Sequence, residues 1–228
     1  MGISKNMELI DQLLHVNQPF TNNPSRFSTI VLTLKSARKL TGRNLVNGKN
    51  EMNTLNIQTF KDQLYFPQLF TGLINYLILL EQLGSLFKIQ GSKPSAEHNG
   101  ITCSLNDFSD LSDMMKIKAI VALRNSLTHK FGLATERKRR RKKGKDSVYK
   151  FILSLDRNSE IIKLTEPGKE WNGIFSDKSD DSSTIVFLYD LIELVESVYT
   201  KIKEYNQENR LELKLEEDEI KARFTILI

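Results

Sequence analysis

Apolar residues recur at helical spacing along most of this 228-residue chain. Met7, Leu9, Ile10, Leu13 and Leu14 predict a helix over Lys5–Val16. Asn22-Asn23-Pro24-Ser25 interrupts the pattern, and Ser25 is placed to cap a second helix that runs to about Leu40. Gly42–Asn53 is rich in Gly and Asn and predicts a loop, with a shorter helical piece over Leu55–Tyr65. Pro67 suits the first turn of a strongly apolar helix ending near Phe87 or Gln90. After a loop over Gly91–Gly100, Asn106–Asp110 offers caps for another apolar helix, which ends near Phe131 with Gly132 as its stop.

The period then changes. From Ser147 to Leu155, Tyr149, Phe151, Leu153 and Leu155 alternate with Val148, Lys150, Ile152 and Ser154, which is strand periodicity. Asp156-Arg157-Asn158-Ser159 predicts a turn and Ile161–Leu164 a returning strand. A polar loop over Asp177–Ser183 leads into a long helix with Ile185, Leu188, Leu191, Ile192, Val195, Val198, Tyr199 and Ile202 on one side. Leu211, Leu213 and Leu215 alternate with charges, and Phe224–Ile228 is β-prone. The expectation is a single domain over 1–228, mainly α. Residues 1–133 and 182–206 form a helical bundle, 134–146 a basic loop, 147–166 a β-hairpin and 210–228 a β-prone segment. The small sheet is expected to be antiparallel and appended in the C-terminal half.

Composition changes little: 39% hydrophobic and 27% charged residues suit an ordinary globular protein with a real core. One cysteine, Cys103, rules out an internal disulfide framework and is expected to be a small packed residue. The three histidines lack metal-ligand spacing, and no cofactor is expected; His15 and His98 are taken as ordinary surface residues. Met1–Gln18 does not build the apolar core of a secretory leader, so a cytoplasmic protein is expected. Thr71, Asn75, Glu81 and Gln82 interrupt Leu69–Leu86 well short of the ~20 apolar residues of a membrane span, so no membrane partner is expected. The net charge of +5 is local: Arg137, Lys138, Arg139, Arg140, Arg141, Lys142, Lys143 and Lys145 carry it, and the remainder is slightly acidic. Nucleic-acid phosphates are the usual partner of such a run, the alternative being a solvated loop with no partner.

Just before that run stands Arg124-Asn125-Ser126-Leu127-Thr128-His129. An imidazole moves protons near neutral pH, and a guanidinium holds phosphate in its planar fork. Asn125 and His129 are four apart, so the amide is placed to orient the ring. Arg124 lies about 140° from His129 around the axis. Ile120, Leu123, Leu127 and Phe131 form the core stripe, broadened by Met114, Ile117 and Val121. A seam of small residues, Ala119, Ala122 and Ser126, runs beside His129. Either the helix is central in its own bundle, or a partner chain covers this second face. One Arg and one His are sparse for acid–base catalysis. The bland alternative for His129 and Lys130 is that they complement the helix dipole.

Arg124-Asn125-x-x-x-His129 near the end of a long bundle helix resembles the signature of the HEPN superfamily. The resemblance implies a HEPN-like helical bundle and a metal-independent endoribonuclease that dimerises, joining two copies of the motif in one cleft. His129 would then assist proton transfer at the ribose 2′-hydroxyl or the leaving 5′-oxygen, Arg124 would hold the phosphate, and Asn125 would orient the imidazole. RNA is the implied substrate, bound also through the basic run, and the seam at Ala119, Ala122 and Ser126 is the implied dimer contact. A toxin or phage-defence setting with an antitoxin or regulatory partner is a further expectation. Phe131 stands where toxins silenced by nucleotide transfer carry Tyr in Arg-x4-His-x-Tyr, so silencing of that kind has no hydroxyl to act on here. The alternative is a non-catalytic RNA- or nucleic-acid-binding module of the same type.

Overall fold

A computed structural model describes residues 2–16, 26–51, 65–92, 99–130, 132–135, 148–175 and 180–227. The expected Ser25 cap, the helical piece at Leu55–Tyr65 before its last residue, Phe131 and the whole basic run fall outside the described residues. The described residues are mainly α. In chain order they form α1 (Gly2–Leu14), β1 (Arg26–Ser28), α2 (Thr29–Leu40), α3 (Tyr65–Leu86) and β2 (Phe87–Ile89). There follow α4 (Gly100–Phe108), α5 (Met114–Lys130), β3 (Phe151–Ser154), β4 (Ile162–Lys163) and β5 (Thr184–Phe187). The chain continues with α6 (Leu188–Gln207), β6 (Leu211–Leu213), α7 (Glu217–Phe224) and β7 (Thr225–Leu227). It divides into two compact units, one of residues 1–111 and 195–228, the other of residues 112–194.

The first unit is built around α3, which packs against α2 and α4. Its buried positions Leu69, Leu73, Tyr76, Leu77, Leu80 and Leu83 repeat every three or four residues, so burial follows the helical period. Pro67–Leu86 is long and apolar enough to cross a membrane by length and composition, yet 56% of its most apolar stretch is buried inside the structure. The α3–α4 crossing needs glycine on both sides: a Cβ on Gly84 would collide with the Gly100 carbonyl, and one on Gly100 with that of Glu81. Two antiparallel ribbons tie the ends of the chain to this unit, β1 to β7 and β2 to β6.

Several boundaries differ from expectation. Strand β1 precedes the second helix, which starts at Thr29; Ser28 precedes it but sends its hydroxyl to the Leu13 carbonyl at 2.8 Å. Helix α4 was not anticipated: Asn99 caps it, accepting from the amides of Ile101 (3.0 Å) and Thr102 (3.3 Å). Helix α5 is capped by Asp113, which accepts from Met115 at 2.9 Å and Lys116 at 3.3 Å, so the caps at Asn106–Asp110 are not its start. Within the β-prone 210–228 segment, α7 separates two strands, with three acidic residues in its first turn and Lys221 and Arg223 in its last.

In the second unit the expected hairpin over 147–166 does not form. β5 lies between β3 and β4, parallel to the former and antiparallel to the latter, so the sheet is mixed rather than antiparallel. Ile185, expected on the long helix, lies in β5, and α6 starts at Leu188. Period-2 and period-3.6 readings are hard to separate in so short an apolar run as Thr184–Phe187. A hairpin-like pairing does exist one step earlier. Residues 133–135 run antiparallel to 149–151: the Thr135 amide donates to the Tyr149 carbonyl at 2.8 Å, and the Phe151 amide to the Leu133 carbonyl at 2.7 Å.

Candidate functional site

Helix α5 presents two sides. Ile117, Ala119, Ile120, Leu123, Ser126 and Leu127 are buried, while Met114, Met115, Lys118, Asn125 and His129 are exposed. Ile117, Ile120, Leu123 and Leu127 therefore lie in the core as expected, whereas Met114 is exposed and Val121 only half-buried. The small-residue seam is not open: Ala119 is fully buried and Ser126 is 3% exposed, leaving only Ala122 half-exposed. Burial removes Ala119 and Ser126 from the surface that a partner could contact, and leaves Ala122 accessible.

Arg124 is half-buried, and its Nη1 donates to Asn125 Oδ1 at 3.0 Å. The Asn125 carbonyl oxygen thereby steadies the guanidinium instead of the His129 ring. Neighbouring residues stand about 100° apart on a helix, and the long Arg side chain spans that angle. Thr128 Oγ1 donates back to the Arg124 carbonyl at 2.9 Å, a local bond within the helix. His129 sits exposed in the last turn, with Lys130 beside it.

The end of α5 is tied down. The Gly132 amide donates to the Ser126 carbonyl at 3.2 Å, and Ser126 Oγ reaches the Ala134 carbonyl at 3.4 Å. Thr135 then meets Tyr149 twice, through the backbone bond above and through Thr135 Oγ1, which accepts from the Tyr149 amide at 2.7 Å. Thr135 and Tyr149 flank the stretch that holds Arg137, Lys138, Arg139, Arg140, Arg141, Lys142, Lys143 and Lys145, and their mutual bonds fix its two ends together, the first of them six residues after His129. The run itself lies outside the described residues.

Elsewhere in this unit, Lys116 approaches Glu160 at 3.6 Å, and the Arg157 guanidinium lies 5.2 Å from the centre of the Tyr189 ring. Among the described residues no three His, Cys, Asp or Glu side chains converge as a metal site. Cys103 is buried, as expected of a packed thiol.

A second polar constellation, which the sequence did not flag, lies inside the first unit. Arg38 donates to both oxygens of Glu196, at 2.9 and 2.7 Å, and Tyr76 donates to Glu196 Oε1 at 2.6 Å. Arg38 Nη1 also holds the carbonyls of Leu45 and Val46, each at 2.9 Å. The Tyr199 ring lies under the guanidinium at 5.6 Å, and its hydroxyl donates to the Leu14 carbonyl. Burial alone would lower the Arg38 pKa, but the Glu196 bond and charge outweigh it and the pKa rises. Burial, and then the Glu196 charge, drive the Tyr76 pKa far up. Gly48 closes the loop at a φ of 70°, where a Cβ would strike the Glu196 carboxylate. Every partner here is inside the fold, so this network organises the 41–51 loop and is unsuited to contact a large substrate.

Comparison with known proteins finds no matching family, no matching curated protein and no matching solved structure.

Proposed function

We propose that the chain is a metal-independent endoribonuclease of HEPN type that acts as a homodimer. One observation carries the reading: an exposed His129 and an amide-steadied Arg124 share the end of a helix whose last turn is anchored to the base of the basic run. Arg124 would hold the scissile phosphate and stabilise the charge that grows on it. His129, in concert with its copy, would take the proton of the ribose 2′-hydroxyl and protonate the leaving 5′-oxygen. The 2′-oxygen bonds to phosphorus as the bond to the 5′-oxygen breaks, leaving a 2′,3′-cyclic phosphate and a 5′-hydroxyl. The eight basic side chains would hold flanking backbone phosphates, and an antitoxin or other regulator would control the activity. With Ala119 and Ser126 buried, the second copy is not expected to dock on the small-residue seam.

The test is incubation of purified protein with total RNA, with and without EDTA, followed by analysis of the product ends. Cleavage that survives EDTA and leaves cyclic phosphate ends is expected; activity lost in EDTA and restored by a divalent ion would contradict it. A second reading, an RNA-binding module without catalysis, is favoured by the Asn125 oxygen serving Arg124 instead of His129. Replacing Arg139, Arg140 and Arg141 by neutral residues should weaken RNA binding across sequences and lower its salt dependence under either reading.

A further inference from the structure

Helix α5 contains Lys116, Lys118, Arg124 and Lys130 but no Asp or Glu over its whole length. The carboxylate just before it, Asp113, is engaged as its cap. Met114, Lys118, Ala122, Asn125 and His129 fall within a sector of about 80° on the helical wheel, and all of them are exposed or half-exposed. Met115, 48% exposed, flanks the same end. The open face is therefore a continuous stripe: a cation and two thioethers at one end, Asn125 and His129 at the other, with the Arg124 guanidinium meeting its edge at Asn125. Lys118 lies about 16 Å from His129 along the axis, the reach of a few nucleotides.

We propose that this face is a track for single-stranded RNA, in which Lys118 holds a backbone phosphate a few nucleotides from the scissile bond and Met114 and Met115 pack against a base. The inference rests on the ribonuclease reading and adds a substrate subsite to it. Charge decides the occupant. At the Lys118 end of the stripe, a second copy packed face to face would set lysine against lysine with no helix carboxylate to offset them, whereas a phosphodiester chain supplies the missing negative charge and leaves the His129 end to the copy. Methionine thioethers are polarisable and adapt to flat, irregular partners, which suits bases of any identity. The subsite therefore adds affinity without sequence preference.

The experiment titrates a short, fluorescein-labelled single-stranded oligoribonucleotide of mixed sequence, read by anisotropy across a salt series. The full chain carries His129→Ala throughout, so that the probe survives. Adding Lys118→Ala should weaken binding roughly fivefold at low salt and reduce the slope of log affinity against log salt by about 1. Lys118→Arg should restore both, and Lys163→Ala, at an exposed lysine on β4, should change neither. Binding unchanged by Lys118→Ala would overturn the subsite and leave the ribonuclease reading standing. Failure of the His129→Ala protein to bind the probe at all would overturn both. A change of sedimentation mass with Lys118→Glu, at unaltered RNA affinity, would show that a second copy covers the face and would overturn the track.

Discussion

Two arginines in this chain meet opposite fates. Arg38 is 2% exposed, and Glu196 and two loop carbonyls engage its guanidinium. Arg124 stays half-exposed at the end of α5, where the Asn125 amide oxygen accepts from its guanidinium, with His129 exposed one turn further on. A guanidinium that the fold has already neutralised holds structure together. One that is oriented but left in contact with solvent can still receive a phosphate. The same residue type is thus sequestered as scaffold in one unit and left at the surface in the other.

The sharpest way to break this contrast is to remove the carboxylate from the first network. Glu196→Ala leaves Arg38 charged and buried, and should cost about 3–5 kcal/mol in chemical denaturation. A loss below ~1 kcal/mol would show that the Arg38 pair is as dispensable as a surface ion pair. Gly48→Ala should cost about 1–3 kcal/mol, since it forces a positive φ on a side chain and drives Cβ into Glu196.

Tyr76→Phe removes one donor from Glu196 and should cost about 1–3 kcal/mol near neutral pH. Its effect has a signed pH dependence. The folded state raises the phenol pKa, so the folded form holds the proton more tightly than the unfolded chain. The resulting stabilisation is complete below the ordinary phenol value of about 10 and is lost as pH rises beyond it. Stability of the parent should therefore fall in alkali, and Tyr76→Phe should flatten that fall; Tyr199, raised mainly by burial, retains the rest. Equal alkaline slopes in parent and variant would show that the folded state does not raise the Tyr76 pKa by burial and the Glu196 charge.

How much of this was legible in the sequence follows from the range of the interactions. The α5 core residues Ile117, Ile120, Leu123 and Leu127 announced themselves because burial in a helix repeats within one turn. The mixed sheet did not, because β5 inserts between β3 and β4 from well beyond the predicted hairpin, and strand order has no local signature. Arg38 and Glu196 are 158 positions apart, so nothing near either residue marked the pair. In the motif, spacing placed Asn125 beside both Arg124 and His129 but could not say which its oxygen would serve. The small seam at Ala119 and Ser126 was visible as composition, but whether the chain buries it is a tertiary outcome.

Smallest in stability, and most informative for the second unit, is Asn125→Ala. Asn125 is exposed, so unfolding free energy should change by less than about 0.5 kcal/mol. RNA affinity should fall if the amide positions Arg124, and Asn125→Asp, which keeps an acceptor at the same place, should restore part of it. A variant that binds as the parent does while cleaving more slowly would instead assign Asn125 to the His129 ring.

The most direct measurement is the rate of RNA cleavage by parent and His129→Ala protein in EDTA, with thermal unfolding followed on the same samples. The account predicts that His129→Ala loses cleavage by about 10²–10⁴-fold, as expected for removal of a general acid–base, while the unfolding midpoint and RNA affinity stay close to those of the parent. Undiminished cleavage by His129→Ala, or no cleavage by the parent, would contradict it.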